Sequence, residues 1–281
     1  MKRVPSAKRR KNAVLATDLK AQYDACTKKL LGYKDILARI LIEAVEEFRG
    51  MSPEEVNAGY ILFDIIFYVR LKAGCSKIII NVEAQRKEPA EYDIINRAVF
   101  YVSREISSQK NREFVNSNYN DIKKVYSIWI CMNMSENSMN HIHLANDTII
   151  GNQVWKGKED LVNIVMIGLA KEISSKEEKH KLHRLLGTLL SETLREEEKL
   201  DILKNEYHIP MEKLIREDVK IMCNLSEGIE ERGIIKGRTE LLKQLVQKKL
   251  AKGQSTEVIA EDLVEDVEVI RTIVDEIQTK K

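Results

Sequence analysis

The chain has 281 residues, enough for one sizeable domain with an appendage or for two small domains. Its 43% hydrophobic residues can form a core, its 32% charged residues leave a heavily solvated surface, and a net charge of +2 supplies no whole-molecule pull toward an acidic or basic partner. Spanning a membrane takes about 20 apolar residues, whereas the most apolar run here is about eleven long and contains Asp64 and Arg70, so no membrane partner is expected.

The first twelve residues carry six basic side chains (Lys2, Arg3, Lys8, Arg9, Arg10, Lys11) and no acid, so residues 1–20 are expected to form a basic, disordered tail. No apolar stretch follows it, as a secretory leader would require. The cysteines, Cys26, Cys75, Cys131 and Cys223, are scattered without a C-x-x-C pair. They read as reduced thiols of a cytoplasmic protein rather than a disulfide or zinc framework. Residues 35–48 (DILARILIEAVEEF) have helical period, Gly50 is a stop signal, and Ser52-Pro53-Glu54-Glu55 has the chemistry of a new helical start. Two runs rich in Ile, Val, Phe and Tyr follow, ILFDIIFYVRL and KIIINVEAQ, joined through Ala73-Gly74-Cys75 and read as a hairpin. Pro89 ends the second run, and EYDIINRAVFYVSREISS (91–108) returns to helical period. KVYSIWICM (124–132) and LVNIVMIGL (161–169) read as strands, and HIHLANDTIIG between them as short strands. Residues 176–207 are helical and strongly charged, Pro210 marks a boundary, and everything beyond is helix, with Gly228, Gly233 and Gly237 expected to kink it. The chain thus divides into the tail at 1–20, an α/β (α+β) domain at 21–209 and a helical extension at 210–281.

The residues that carry chemistry lie in the hairpin. A carboxylate inside a buried strand is costly unless it finds a partner, commonly a metal ion. With a two-residue turn at Ala73-Gly74, Lys72 pairs with Cys75 and paired numbers sum to 147; so do 64 and 83. Asp64 and Glu83 would then stand opposite each other with Cβ atoms about 4.5–5.5 Å apart, and Gln85 shares the face of Glu83. Two like charges that close repel, and a divalent cation removes the conflict. Magnesium, with manganese as a substitute, suits one or two carboxylates plus waters and phosphate oxygens. Asp64, Glu83 and the carbonyl of Ala84 are the candidate metal ligands, and Gln85 would position the attacking water. The competing reading places both acids at strand ends, facing solvent or lysines.

At Asp64, Glu83 and Gln85, in VEAQ, the chain resembles the PD-(D/E)XK nuclease superfamily, and within it the recombination-promoting nuclease/putative transposase family, whose signature has Gln in place of Lys. Tyr92, Arg97 and Tyr101 resemble that family's tyrosine-and-arginine helix, and EGIEERGIIKGR its C-terminal region. The likeness covers about 35–132 well. It implies a restriction-endonuclease-like α-β-β-β-α-β core with a mixed sheet flanked by helices, magnesium-dependent DNA endonuclease activity with Asp64, Glu83 and Gln85 as catalytic residues, and a role in DNA recombination or transposition. Two features depart from the superfamily: Phe63 stands where Pro would precede the acid, and the motif lysine is absent. Lys87 shares the strand parity of Gln85 and could supply the cation. Glu43, Glu46 or Glu47 could add an acid, although a solvated helix face explains them as well.

Arg97 and Tyr101 are four residues apart on one helix face and are candidate DNA-backbone contacts; packing against the sheet explains them equally. His141-x-His143 and His180-x-x-His183 are expected to be surface histidines. The segment from Ser255 resembles a helix-turn-helix, with Ser255 as N-cap, but from 254 to 279 it holds eight acids against Arg271 alone, which favours docking or self-association over phosphate contact. Three readings follow: a metal-dependent DNA endonuclease, a catalytically inactive nuclease fold that binds DNA, and an interaction protein that assembles, as a homo-oligomer, through its C-terminal helices.

Overall fold

The computed structural model describes residues 7–56, 66–70, 77–86, 89–177 and 181–278. They form two compact units that divide at Leu225/Ser226. The first is α/β. Helix α1 (Ala7–Leu31) and α2 (Lys34–Ala44) lead through a 3-10 turn (Glu46–Phe48) to strands β1 (Ile66–Arg70) and β2 (Lys77–Gln85), helix α3 (Ile94–Ser108), and strands β3 (Lys124–Met134), β4 (Ser138–His143) and β5 (Val162–Ala170). Helices α4 (Lys181–Leu190), α5 (Glu196–Asn205) and the long α6 (Lys213–Leu250) follow.

The strands form one mixed open sheet in the order β1-β2-β3-β5-β4. The outer pairs, β1/β2 and β4/β5, are antiparallel; the inner pairs, β2/β3 and β3/β5, are parallel. A parallel pair needs a crossover, and α3 supplies it between β2 and β3. Because β3 and β5 are covered on both faces, their sequences are almost continuously apolar and buried, while edge strand β4 exposes most of its residues. Between α2 and α3 the described residues hold two strands, β1 and β2, where three are expected for the restriction-endonuclease-like core.

Side-chain parity separates the two faces. Ile79, Val125, Trp129, Cys131 and Ile164 meet Ala98 and Val102 of α3. Residues of opposite parity turn toward the other helices: Tyr126 donates its hydroxyl to Glu47, just past α2, at 2.9 Å, and Lys124 pairs with the same carboxylate. In α2, Ile36, Leu37, Ile40, Leu41 and Ala44 are buried at helical spacing, which makes one apolar stripe. The chain then turns at Gly50, whose φ of 79° is the left-handed conformation glycine adopts without strain. Ser52 and Glu55 exchange backbone-to-side-chain bonds as a capping pair, yet only a single turn forms up to Val56.

Several boundaries differ from the sequence-based expectations. Helix α1 begins at Ala7, inside the segment expected as a disordered tail. The charged stretch 176–207 is two helices broken at 191–195. Pro210 marks the approach to α6 and not the division between units, because Ile215, Val219 and Met222 of α6 are buried and Asp218 accepts bonds from Lys29 (2.8 Å) and Tyr33 (2.5 Å) within the first unit. Helix α6 also continues through its glycines without a break.

In the second unit, α7 (Thr256–Leu263) and α8 (Val267–Gln278) pack with the C-terminal part of α6 around Val246, Ile259, Ala260, Ile270, Ile273 and Val274. Ser255 caps α7 by accepting from the Val258 N–H, as expected. Among the described residues no helix is long and apolar enough to cross a membrane.

Candidate active site

Every described β1–β2 pair, from Ile66↔Asn81 to Arg70↔Lys77, sums to 147, the register expected from the sequence. Asp64 and the turn at 73–74 lie outside the described residues, as does Lys87. Glu83 and Gln85 have the strand parity of Ile79 and so belong to the α3 face; both are half-buried. Across the parallel pairing they stand beside Trp129 and Cys131 of β3. Ala84, between them, has the opposite parity and pairs with Ile130.

Helix α3 brings its polar residues to the same place. Ala98 and Val102 are buried against the sheet, and Arg97 and Tyr101, each one position earlier, flank that contact. The Arg97 guanidinium donates to Gln85 Oε1 (3.4 Å), to the Tyr92 hydroxyl (3.0 Å) and to the Tyr101 hydroxyl (3.4 Å). It lies 5.1 Å from the centre of the Tyr101 ring and 5.5 Å from that of Trp129. Tyr101 in turn meets Trp129 edge-on at 5.7 Å, and Trp129 donates its indole N–H to Ser127. Arg97 and Tyr101 therefore both pack on the sheet and present polar groups beside Gln85. A cleft of about 480 Å³ opens next to Gln85, between the start of α3 and the ends of β3, β4 and β5.

The donor set on the described side of the hairpin is the Glu83 carboxylate, the Ala84 carbonyl and the Gln85 amide oxygen. These are hard oxygen donors of the type magnesium takes. Among the described residues no group of three or more His, Cys, Asp or Glu side chains is arranged to hold a metal, and Asp64 is not one of those residues.

The first-helix acids are placed elsewhere. Glu47 is bound by Lys124 and Tyr126 on the sheet face away from α3, and Glu43 and Glu46 are exposed. Lys124 also pairs with Asp160. His141 and His143 are exposed on β4, with His141 bonded to Asn163 at 2.9 Å, in keeping with surface histidines. His183 is the exception: it is buried, its Nε2 3.0 Å from the Ser138 carbonyl. His180 lies outside the described residues.

Sequence reasoning missed two contributors. Trp129 is the aromatic floor under Arg97, and its only signal was an unusually bulky residue of the right parity in a buried strand. The cleft beside Gln85 needs β4 folded back along β5, a pairing that no local pattern announces. Comparison with protein-family models, with curated proteins and with solved structures finds no match.

Proposed function

We propose that this chain is a metal-dependent DNA endonuclease with a restriction-endonuclease-like core, which hydrolyses phosphodiester bonds in DNA recombination or transposition. The β1–β2 register supports the reading: if it continued two pairs beyond Ile66↔Asn81, position 64 would stand against position 83. In this proposal Asp64, Glu83 and the Ala84 carbonyl hold the metal, and Gln85 orients the water. A bound magnesium ion, or manganese in its place, would polarise that water and neutralise charge gathering on the phosphate. Arg97, beside Gln85, provides the positive charge that the superfamily places on a lysine at the third motif position. Its hold by Tyr92 and Tyr101 fixes the guanidinium before substrate arrives, as preorganised electrostatic stabilisation requires. Arg97 and Tyr101 would contact the DNA backbone.

The decisive measurement is nicking of supercoiled plasmid with magnesium and with EDTA, by wild type, Asp64→Asn and Glu83→Gln. The expected result is metal-dependent nicking that falls at least about a hundredfold in each variant. Nicking at equal rates in all three proteins would overturn the assignment. A second reading, a nuclease fold that binds DNA without cutting it, is favoured by Gln85 in place of lysine and by Phe63 in place of proline. It predicts salt-sensitive plasmid binding and no nicking by the wild type.

A further inference from the structure

A second cleft of about 480 Å³ opens between α2, α4 and the turn after α5. It belongs to the helical layer on the side of the sheet away from α3, so it is separate from the Glu83–Gln85 site. Its walls carry four cations, Arg39, Lys176, Lys181 and Arg184, against two carboxylates, Glu43 and Glu206. Glu206 is already committed: Arg184 donates to both of its oxygens, at 2.6 and 2.9 Å, and Lys176 pairs with it at 2.8 Å.

Arg39 is bound differently. Its guanidinium is half-buried and donates to two main-chain carbonyls, those of Asp35 and Tyr207, each at 2.6 Å. It makes no ion pair among the described residues, and Asp35 and Glu54 act on it only through space. A guanidinium has five N–H donors, so two carbonyls do not exhaust it. Holding such a charge partly out of water without a counter-ion is costly, and an anion entering the cleft offsets that cost. The remaining wall is apolar, with Ile42, Met51, Leu182 and Leu185. The volume falls within the range of about 300–1,000 Å³ typical of small-molecule sites.

Arg39, which faces the cleft with no ion pair among the described residues, suits a phosphate monoester, which carries a charge of about −1.5 to −2 at neutral pH. We propose that this cleft binds a small organic phosphate monoester with an apolar body, for which adenosine 5′-monophosphate is the probe. Arg39 holds the phosphate with Lys176 and Lys181 beside it, and the body lies against Ile42, Met51, Leu182 and Leu185.

The test is calorimetric titration of the full chain with adenosine 5′-monophosphate, with adenosine and with inorganic phosphate. Saturable binding of the monophosphate is expected, with each of the other two at least about tenfold weaker. Arg39→Gln and Lys181→Gln should each weaken monophosphate binding, the first at least about tenfold, as loss of a charge-assisted bond implies. Glu83→Gln should leave it unchanged, which separates this site from the candidate active site and its own test. Lys181 is exposed, so its variant decides the matter should Arg39→Gln fail to fold, which circular dichroism will show. No saturable heat from the monophosphate, binding undiminished in both variants, or phosphate or adenosine binding as tightly as the monophosphate, would each overturn the proposal.

Discussion

Arg97 and Glu206 show two ways in which a single charged residue is held. Arg97 is shared among an amide, two phenols and an aromatic face, so its position depends on β2, β3 and α3 together. Glu206 is held by two cations, Arg184 hydrogen-bonded to both of its oxygens and Lys176 to one. Hydrogen bonding from Arg184 foremost, helped by Lys176 and opposed by burial, brings its carboxyl from the ordinary 4.5 down to about 2. A carboxyl with a folded value below its unfolded one contributes stability that is complete above the unfolded value and disappears as pH falls through the folded one. Glu206→Gln should therefore melt at a lower temperature than wild type at pH 7, and the two proteins should converge between about 4.5 and about 2. Arg184 and Glu206 are part-buried, their side chains 14% and 21% exposed, so the gap at pH 7 should be about 1–3 kcal/mol, as for a hydrogen bond between charged groups. Melting curves that stay parallel across that range would show that Glu206 gains nothing from its two partners.

At the scale of elements, the β4–β5 pairing leaves no room for a side chain at Gly168, which stands opposite Ser138 in the register. A Cβ on residue 168 would lie 2.5 Å from the Ser138 hydroxyl and 3.5 Å from the Glu136 carbonyl. Gly168→Ala is expected to cost about 1–3 kcal/mol in urea unfolding, as overpacking does. Adding Ser138→Ala should recover part of the loss; no recovery would place the strain in the backbone instead. Such cross-strand fits were invisible in the sequence, whereas the β1–β2 register was legible, since a short turn fixes the sum of paired numbers and every described pair obeys it. The apolar runs at β3 and β5 were legible for a related reason: strands covered on both faces need little besides aliphatic and aromatic residues. What escaped was whatever depends on distant partners. The start of α1 is dominated by basic residues, and its buried stripe of Tyr23, Cys26, Leu30 and Leu31 begins only past residue 20, so the first turns were not distinguishable from a solvated tail. His183 lies on a charged segment, and only its approach to the Ser138 carbonyl reveals that it is buried. The Arg97–Gln85 contact required knowing that α3 crosses back over β2, which the residue types alone do not state.

At the scale of the whole molecule, the chain folds around more than one core. The unit from Ser226 onward is built only of the end of α6 with the short α7 and α8, yet Ile270 and Ile259 are fully enclosed within it and Ser255 caps α7. A unit that small has little stability in reserve, so one large deletion in its centre is felt strongly. Ile270→Ala removes buried methyl and methylene groups and is expected to cost about 2–5 kcal/mol. Both tryptophans, Trp129 and Trp155, belong to the first unit, so tryptophan fluorescence follows that unit, whereas far-ultraviolet circular dichroism follows the helices of both. In denaturant, Ile270→Ala should therefore move part of the circular dichroism transition to lower concentration and leave the fluorescence transition in place. If fluorescence shifts by the same amount, the two cores unfold as one, and α6, which runs without interruption from Lys213 to Leu250, is the element that couples them.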